Sequence, residues 1–169
     1  MVLRRNLMPR MRGYRGPGRG RRPVGRIAAA VFVVIAAPVV ADYVNGWMKA
    51  EGDCRVVRVI DGDTLVMACT EAPQTRLRLA GIDTPELRGD CWQERLLAVR
   101  ASLFLRWQLY RAGRIGLALS GETDRYERAL GRVLVEGAPV SDHLLDAGLA
   151  RPYLTGDISW CDQLKGAAA

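Results

Sequence analysis

Three short stretches gather charged side chains at points where the chain changes direction: DGDT at 61–64, RLAGIDTPE at 78–86 and DRYER at 124–128. Asp63 and Asp83 offer hard carboxylate oxygens of the kind Ca2+ takes at ~2.3–2.6 Å, with backbone carbonyls and water completing the shell. Thr84 adds its carbonyl to that set, because Pro85 keeps the residue before it extended. Arg78 lies in the same stretch as Asp83, and its planar fork matches two oxygens of a phosphodiester. Arg128 offers a second fork from the third stretch. A cation and two guanidiniums stabilise the charge that accumulates on a five-coordinate phosphorus, while Glu86 is suited to orient or deprotonate an attacking water. Each pattern alone has a plainer reading, since DG is a common turn, Asp-Thr-Pro-Glu opens helices, and alternating arginines line solvated strand faces. Their combination carries the signal.

The elements that must position these residues are legible as changes of period. CRVVRVI at 54–60 is β-branched and ends in a turn signal, residues 64–69 read as a second strand, and EAPQ at 71–74 as the next turn. A third strand over 75–82 alternates Arg76 and Arg78 with Leu77 and Leu79. Trp92, Leu96, Val99, Leu103, Trp107 and Tyr110 recur at helical spacing, which predicts a helix over 92–112 with that face toward the sheet. Residues 114–120 and 128–137 read as strands four and five, and a short helix over 141–147 ends at Gly148. After residue 153 the chain reads as an irregular tail. The order predicts an α+β, β-rich domain: a five-stranded Greek-key barrel of the OB type with two helices.

The formal net charge of +7 for 169 residues is misleading. Nine of the 25 basic residues are arginines within positions 1–26, and no acid precedes Asp42, which leaves 16 basic against 18 acidic residues in the remainder. Polyanion binding by the domain therefore requires a local cluster. The uncharged run 27–41 covers ~22 Å as a helix, short of the ~30 Å hydrocarbon core, and Pro38 interrupts its end. Residues 1–41 thus read as a signal peptide cleaved before Asp42, or alternatively as a signal anchor attaching the chain to a membrane. Both readings export the domain, to a periplasm or beyond the cell. A disordered arginine-glycine arm for nucleic acid is the third reading. Residues 42–53 are expected as a linker and 54–153 as the domain.

Four cysteines in an exported domain favour two disulfides over four buried thiols. A hairpin folded about Asp61 and Gly62 sets Cys54 almost opposite Cys69. With one histidine, His143, and no CxxC pair, a zinc site is not expected. His143 sits in a predicted helix without partners in the three stretches and reads as a packing residue. Trp160, beside Cys161, reads as packing against a disulfide.

Taken together, VIDGDTL, RLRLAGIDTPE, TDRYERALGRVLV and LLDAGLARPY resemble the staphylococcal nuclease (thermonuclease) family in order and spacing, over residues 54–153. The resemblance implies a monomeric OB-fold enzyme that uses Ca2+ to hydrolyse DNA and RNA, leaving 3′-phosphate ends. It implies that Asp63, Asp83 and the Thr84 carbonyl hold the metal, that Glu86 is the general base, and that Arg78 and Arg128 bind the phosphate. Arg125 and Tyr126 correspond to residues near the terminal phosphate of a bound nucleotide, and Tyr153 to an aromatic stacking position, one residue out of register. Glu127 replaces a glycine of the family pattern, which puts the placement of Arg128 at issue. The family's third helix has no counterpart in the sequence pattern, and a Cys91–Cys161 bridge would tie down the tail in its place. The alternative function is a catalytically weak or inactive OB-fold module that binds nucleic acid or a protein.

Overall fold

The computed structural model describes residues 24–153 and 159–166. The basic stretch up to residue 23, residues 154–158 of the tail and residues 167–169 lie outside them. Helix α1 (Val24–Lys49) runs through Pro38 without ending there, so the proline does not interrupt the apolar segment as its ring chemistry suggests. Among the described residues no helix is long and apolar enough to cross a membrane.

Residues 42–53, expected as a linker, form the last turns of α1, then β1 (Ala50–Glu51) and a turn. Asp42 is buried, and its carboxylate accepts hydrogen bonds from the Val59 N–H at 3.2 Å, Arg106 Nε at 3.2 Å and the Tyr110 hydroxyl at 2.9 Å. Burial and the Asp42 carboxylate push the Tyr110 hydroxyl up to about 12, against the opposing Arg106 charge. Gly46 lets α1 approach the strand below it, since a Cβ there would stand 1.8 Å from the Val56 carbonyl oxygen.

The barrel begins with an antiparallel meander of β2 (Cys54–Val59), β3 (Thr64–Cys69) and β4 (Ala72–Leu79), in register Cys54 opposite Cys69 and Thr64 opposite Arg78. A bulge between Val56 and Arg58 shifts the alternation, so Val56 and Val59 both face the core at a spacing that strict pleating would forbid. The two-residue strand β5 (Ile82–Asp83) follows, then α2 (Trp92–Arg111), β6 (Ile115–Thr123) and β7 (Ala129–Val135). β7 pairs parallel with β4 and antiparallel with β6, while β1 pairs with β6 and lies beside β2, nearly closing the sheet. β8 (Ala138–Pro139) extends the sheet on β7, α3 (Val140–Asp146) follows, and β9 (Arg151–Pro152) pairs with β5. This is an α+β fold built on an OB-type barrel, with a seven-stranded sheet in place of the five strands expected. The extra strands have two residues each, below the length at which periodicity carries a signal.

Leu65, Leu77, Leu79, Leu105, Ile115, Val133 and Leu144 form the centre of the core. The α2 face is the reverse of the sequence expectation. Ala98, Ala101, Ser102, Leu105 and Leu109 are buried, whereas Trp92, Leu96, Val99, Leu103, Trp107 and Tyr110 are exposed. Two interleaved stripes compete at helical spacing, and the small one wins because alanines let the helix axis approach the barrel. Part of the large stripe, Leu103, Trp107 and Tyr110, lines a groove of about 480 Å3 with Ala37, Pro38 and Ala41 of α1. The tail also departs from expectation, because residues 160–166 form a third domain helix, α4 (Trp160–Gly166).

The Asp42 contacts give a direct test. Asp42→Ala removes the acceptor of the Arg106 guanidinium, the buried Val59 N–H and the Tyr110 hydroxyl, so chemical denaturation of the oxidised protein should show a loss of ~3 kcal/mol. A linker residue would show a loss close to zero.

Candidate active site

The turn after β2 is tied by its own backbone and by Asp61, whose Oδ1 accepts from the Asp63 N–H at 3.2 Å and the Thr64 N–H at 2.8 Å. This aims Asp63 inward rather than into solvent. Gly62 makes the approach possible: a Cβ there would meet Ala101 Cβ at 2.8 Å and Thr84 Oγ1 at 2.9 Å. DGDT therefore packs directly on the end of the second stretch, and Asp63 Oδ2 accepts from the Thr84 N–H at 3.3 Å.

Asp63 is 4% exposed and shares its oxygens with Thr64 Oγ1, at 2.9 Å, and Arg78 Nη1, at 2.8 Å. Arg78 also brings Nη2 to 3.8 Å from Asp83 Oδ1, so one guanidinium bridges the two carboxylates. Burial pushes the Asp63 carboxyl up, the Arg78 charge opposes it, Asp61 adds to the rise, and the balance lies at about 6 against an ordinary 3.8.

Glu86 is exposed in the loop leading to α2, one residue past the buried Pro85. That loop is organised by Glu94, in the first turn of α2, whose carboxylate accepts from the Glu86 N–H at 3.3 Å and the Asp90 N–H at 3.2 Å. The acid reaches back over its own helix start in the manner of a capping box. A cleft of about 370 Å3 opens here, with Asp83, Glu86, Glu94, Arg151 and Trp160 in its lining.

Arg128 reaches the same rim from the third stretch, with Nη1 3.3 Å from Thr64 Oγ1. Asp124 grips it at 2.7 Å through Nε and 2.6 Å through Nη2, and also accepts from the Arg128 and Tyr126 backbone N–H groups. Burial alone would raise the Asp124 carboxyl, but these hydrogen bonds and the Arg128 charge outweigh it and hold it at about 2. Glu127 has φ 60°, the left-handed conformation that favours glycine, and its side chain is exposed. Glu127 therefore strains the backbone, and beside it Arg128 is held by Asp124 and reaches Thr64. Tyr126 is exposed between the guanidiniums of Arg125, at 4.8 Å from the ring centroid, and Arg128, at 5.4 Å. Tyr153, also exposed, has Arg78 at 5.8 Å from its ring. His143 sits half-buried on α3 and, among the described residues, makes no side-chain hydrogen bond or ion pair with any of these groups.

Several residues that shape this rim carried no sequence signal of their own. Asp124 stands four residues before Arg128, a spacing that is visible once a turn is assumed. Arg151 and Trp160 both donate to Asp83, which corrects the reading of Trp160 as a packing residue only. Both expected disulfides, Cys54–Cys69 and Cys91–Cys161, are formed. Cys91, Cys161 and Glu94 lie close together, but the bridge occupies both sulfurs.

A barrel with paired acids, a third acid and two arginine forks at one rim carries the groups that hydrolysis of a phosphodiester uses. The model of the staphylococcal nuclease homologue family matches residues 76–163. Similar proteins include Protein ParB of Escherichia coli, 32% identical over 85% of this chain and 72% of its own length. An uncharacterized endonuclease of Escherichia coli O157:H7 is 33% identical over 73% of this chain and 70% of its own. The thermonuclease of Staphylococcus hyicus is 30% identical over 75% of this chain and 80% of its own. The chain belongs to the staphylococcal nuclease family, whose enzymes are metal-dependent. The residues present fit a hard divalent cation: Asp63, Asp83 and the Thr84 carbonyl are all oxygen donors, and the two carboxylates stand close enough for one guanidinium to reach both.

Two measurements follow from this geometry. A carboxyl raised in the folded chain favours folding below its unfolded value of about 3.8 and loses that contribution as pH rises through about 6. In EDTA, the stability of the native chain relative to Asp63→Asn should therefore fall between about pH 4 and pH 7; a flat difference would contradict the burial cost. Replacing Glu127 with Gly relieves the left-handed strain and should raise stability by ~0.5–1 kcal/mol in urea unfolding, whereas a destabilised variant would contradict it.

Proposed function

We propose that this protein is an exported, monomeric, Ca2+-dependent nuclease that hydrolyses DNA and RNA to 3′-phosphate ends. The observation that carries the reading is the bridging position of Arg78 between Asp63 and Asp83, with Arg128 at the same rim. In this reading Asp63, Asp83 and the Thr84 carbonyl hold the ion, which supplies positive charge against a phosphoryl oxygen. Glu86, exposed beside the cleft, takes a proton from water as the water oxygen bonds to phosphorus. Arg78 and Arg128 bind the phosphoryl oxygens and stabilise the added charge. The bond from phosphorus to the 5′ oxygen breaks, and that oxygen leaves as a hydroxyl by taking a proton from solvent water, so the phosphate stays on the 3′ side. Tyr126 and Tyr153 offer exposed rings against which flanking bases stack, with Arg125 adding charge beside Tyr126. Such a substrate is single-stranded or locally opened.

Two disulfides support an oxidising compartment, periplasmic or outside the cell, and residues 27–41 supply the export signal or a membrane anchor.

Cleavage of an end-labelled single strand by the oxidised protein tests the reading. Cleavage should require Ca2+, stop with EDTA, and fall by at least ~100-fold in kcat for Arg78→Ala and for Glu86→Gln. Retained binding without cleavage in Ca2+ would favour a binding-only module instead.

A further inference from the structure

The two oxygens of Asp83 face different neighbours. Oδ2 accepts from Arg151 Nε at 2.9 Å and from Trp160 Nε1 at 3.0 Å, and it lies 2.9 Å from Arg151 Nη2. Oδ1 faces the rim, with Arg78 Nη2 at 3.8 Å. The backbone enforces this division, because Asp83 and Arg151 stand opposite each other in the β5–β9 pair. Trp160 arrives from a different part of the chain. It is the first residue of α4, it is buried, and its ring stacks against the Arg151 guanidinium at 4.5 Å. Arg151 Nη1 also donates to Gln163 on α4 at 3.0 Å.

α4 has seven residues, too few to hold a position by helix formation alone. Its tether is the Cys91–Cys161 bridge, adjacent to Trp160 in sequence and joined across 70 residues to the cap of α2. Cys161 Sγ lies 3.2 Å from the carboxylate of Glu94, the same carboxylate that fixes the Glu86 N–H. One bridge thus joins the support of Asp83 to the support of the Glu86 loop.

We propose that Trp160, held by the Cys91–Cys161 disulfide, is a positioning residue for the cation site: it turns Asp83 Oδ2 toward the tail and leaves Oδ1 for the ion. Cation affinity is then coupled to the state of this disulfide, and a chain that fails to form it binds the ion weakly. The inference rests on the proposed role of Asp83 as a metal ligand. Outer groups that orient a ligand are typically worth ~10–100-fold in metal affinity.

Neutral substitutions test this cleanly, whereas replacing Arg151 would also change the local charge. Trp160→Phe keeps an aromatic ring against Arg151 and removes the N–H donor together with part of the indole's bulk. Cys91→Ser with Cys161→Ser is preferable to a reducing agent, because two free thiols beside Glu94 would themselves form a metal-ligand set with donor atoms within 4.8 Å of one another. Calorimetric titration of Ca2+ and Mn2+ into the oxidised full chain should give about 10-fold weaker binding for each. The combined triple variant should be little weaker than the double serine variant, since both act through the same indole. Cys54→Ser with Cys69→Ser removes the other disulfide, on the β2–β3 ladder, and should leave affinity unchanged. Circular dichroism confirms the fold of each, and Trp160→Phe decides the matter alone if the double serine variant does not fold. Native-like affinity in Trp160→Phe overturns the proposal, as does an equal loss on removing Cys54–Cys69. A native chain that binds neither ion removes the cation site itself, a failure distinct from native binding that Trp160→Phe leaves intact.

Discussion

The structure turns on holding two carboxylates, Asp63 and Asp83, at one rim while one of them is buried. Like charges repel, and desolvation raises the cost further. Arg78 meets that cost by lying between them, at 2.8 Å from Asp63 and 3.8 Å from Asp83. Around this centre the same device recurs. Arg151 and Trp160 take one oxygen of Asp83, and Asp124 fixes Arg128 before it reaches Thr64. The rim is thus set by ion pairs whose geometry is closed within the protein, with Asp83 and Glu86 in the lining of the cleft beside it.

The barrel supplies what those pairs need, which is short distance between segments remote in sequence. Gly62 brings the first turn onto Thr84 and Ala101, the parallel pairing of β4 with β7 brings the third stretch alongside the second, and Glu94 ties the Glu86 loop to the start of α2. The small face of α2 serves the same end. Were the helix to bury Trp107 and Leu103 instead of Ala101 and Leu105, its axis would stand farther from the barrel and Gly62 would lose its neighbour.

Much of this was legible in the sequence because it is local. Leu77 and Leu79 alternate with Arg76 and Arg78, and the core and the rim divide accordingly. Cys54 opposite Cys69 follows from one hairpin. What was not legible depends on contacts that no spacing encodes. The choice between two helical stripes on α2 is made by the distance to the barrel. The short strands β5 and β9 exist only as a pair, and α4 is held by a bridge from residue 91. The left-handed φ of 60° at Glu127 is set by a turn in which its N–H donates to the Asp124 carbonyl at 3.0 Å, a geometry that its place in the sequence does not announce. Residues that act by supporting others, Asp124, Arg151 and Glu94, become visible only when their partners are located.

Anomalous diffraction from crystals of the oxidised protein soaked in Mn2+ reports whether this rim holds a divalent cation. A cation held there gives a peak bounded by Asp63, Asp83 Oδ1 and the Thr84 carbonyl oxygen, with Arg78 turned away from Asp63. A peak at another cluster of acids, or no peak with Arg78 still bridging the two carboxylates, would contradict it.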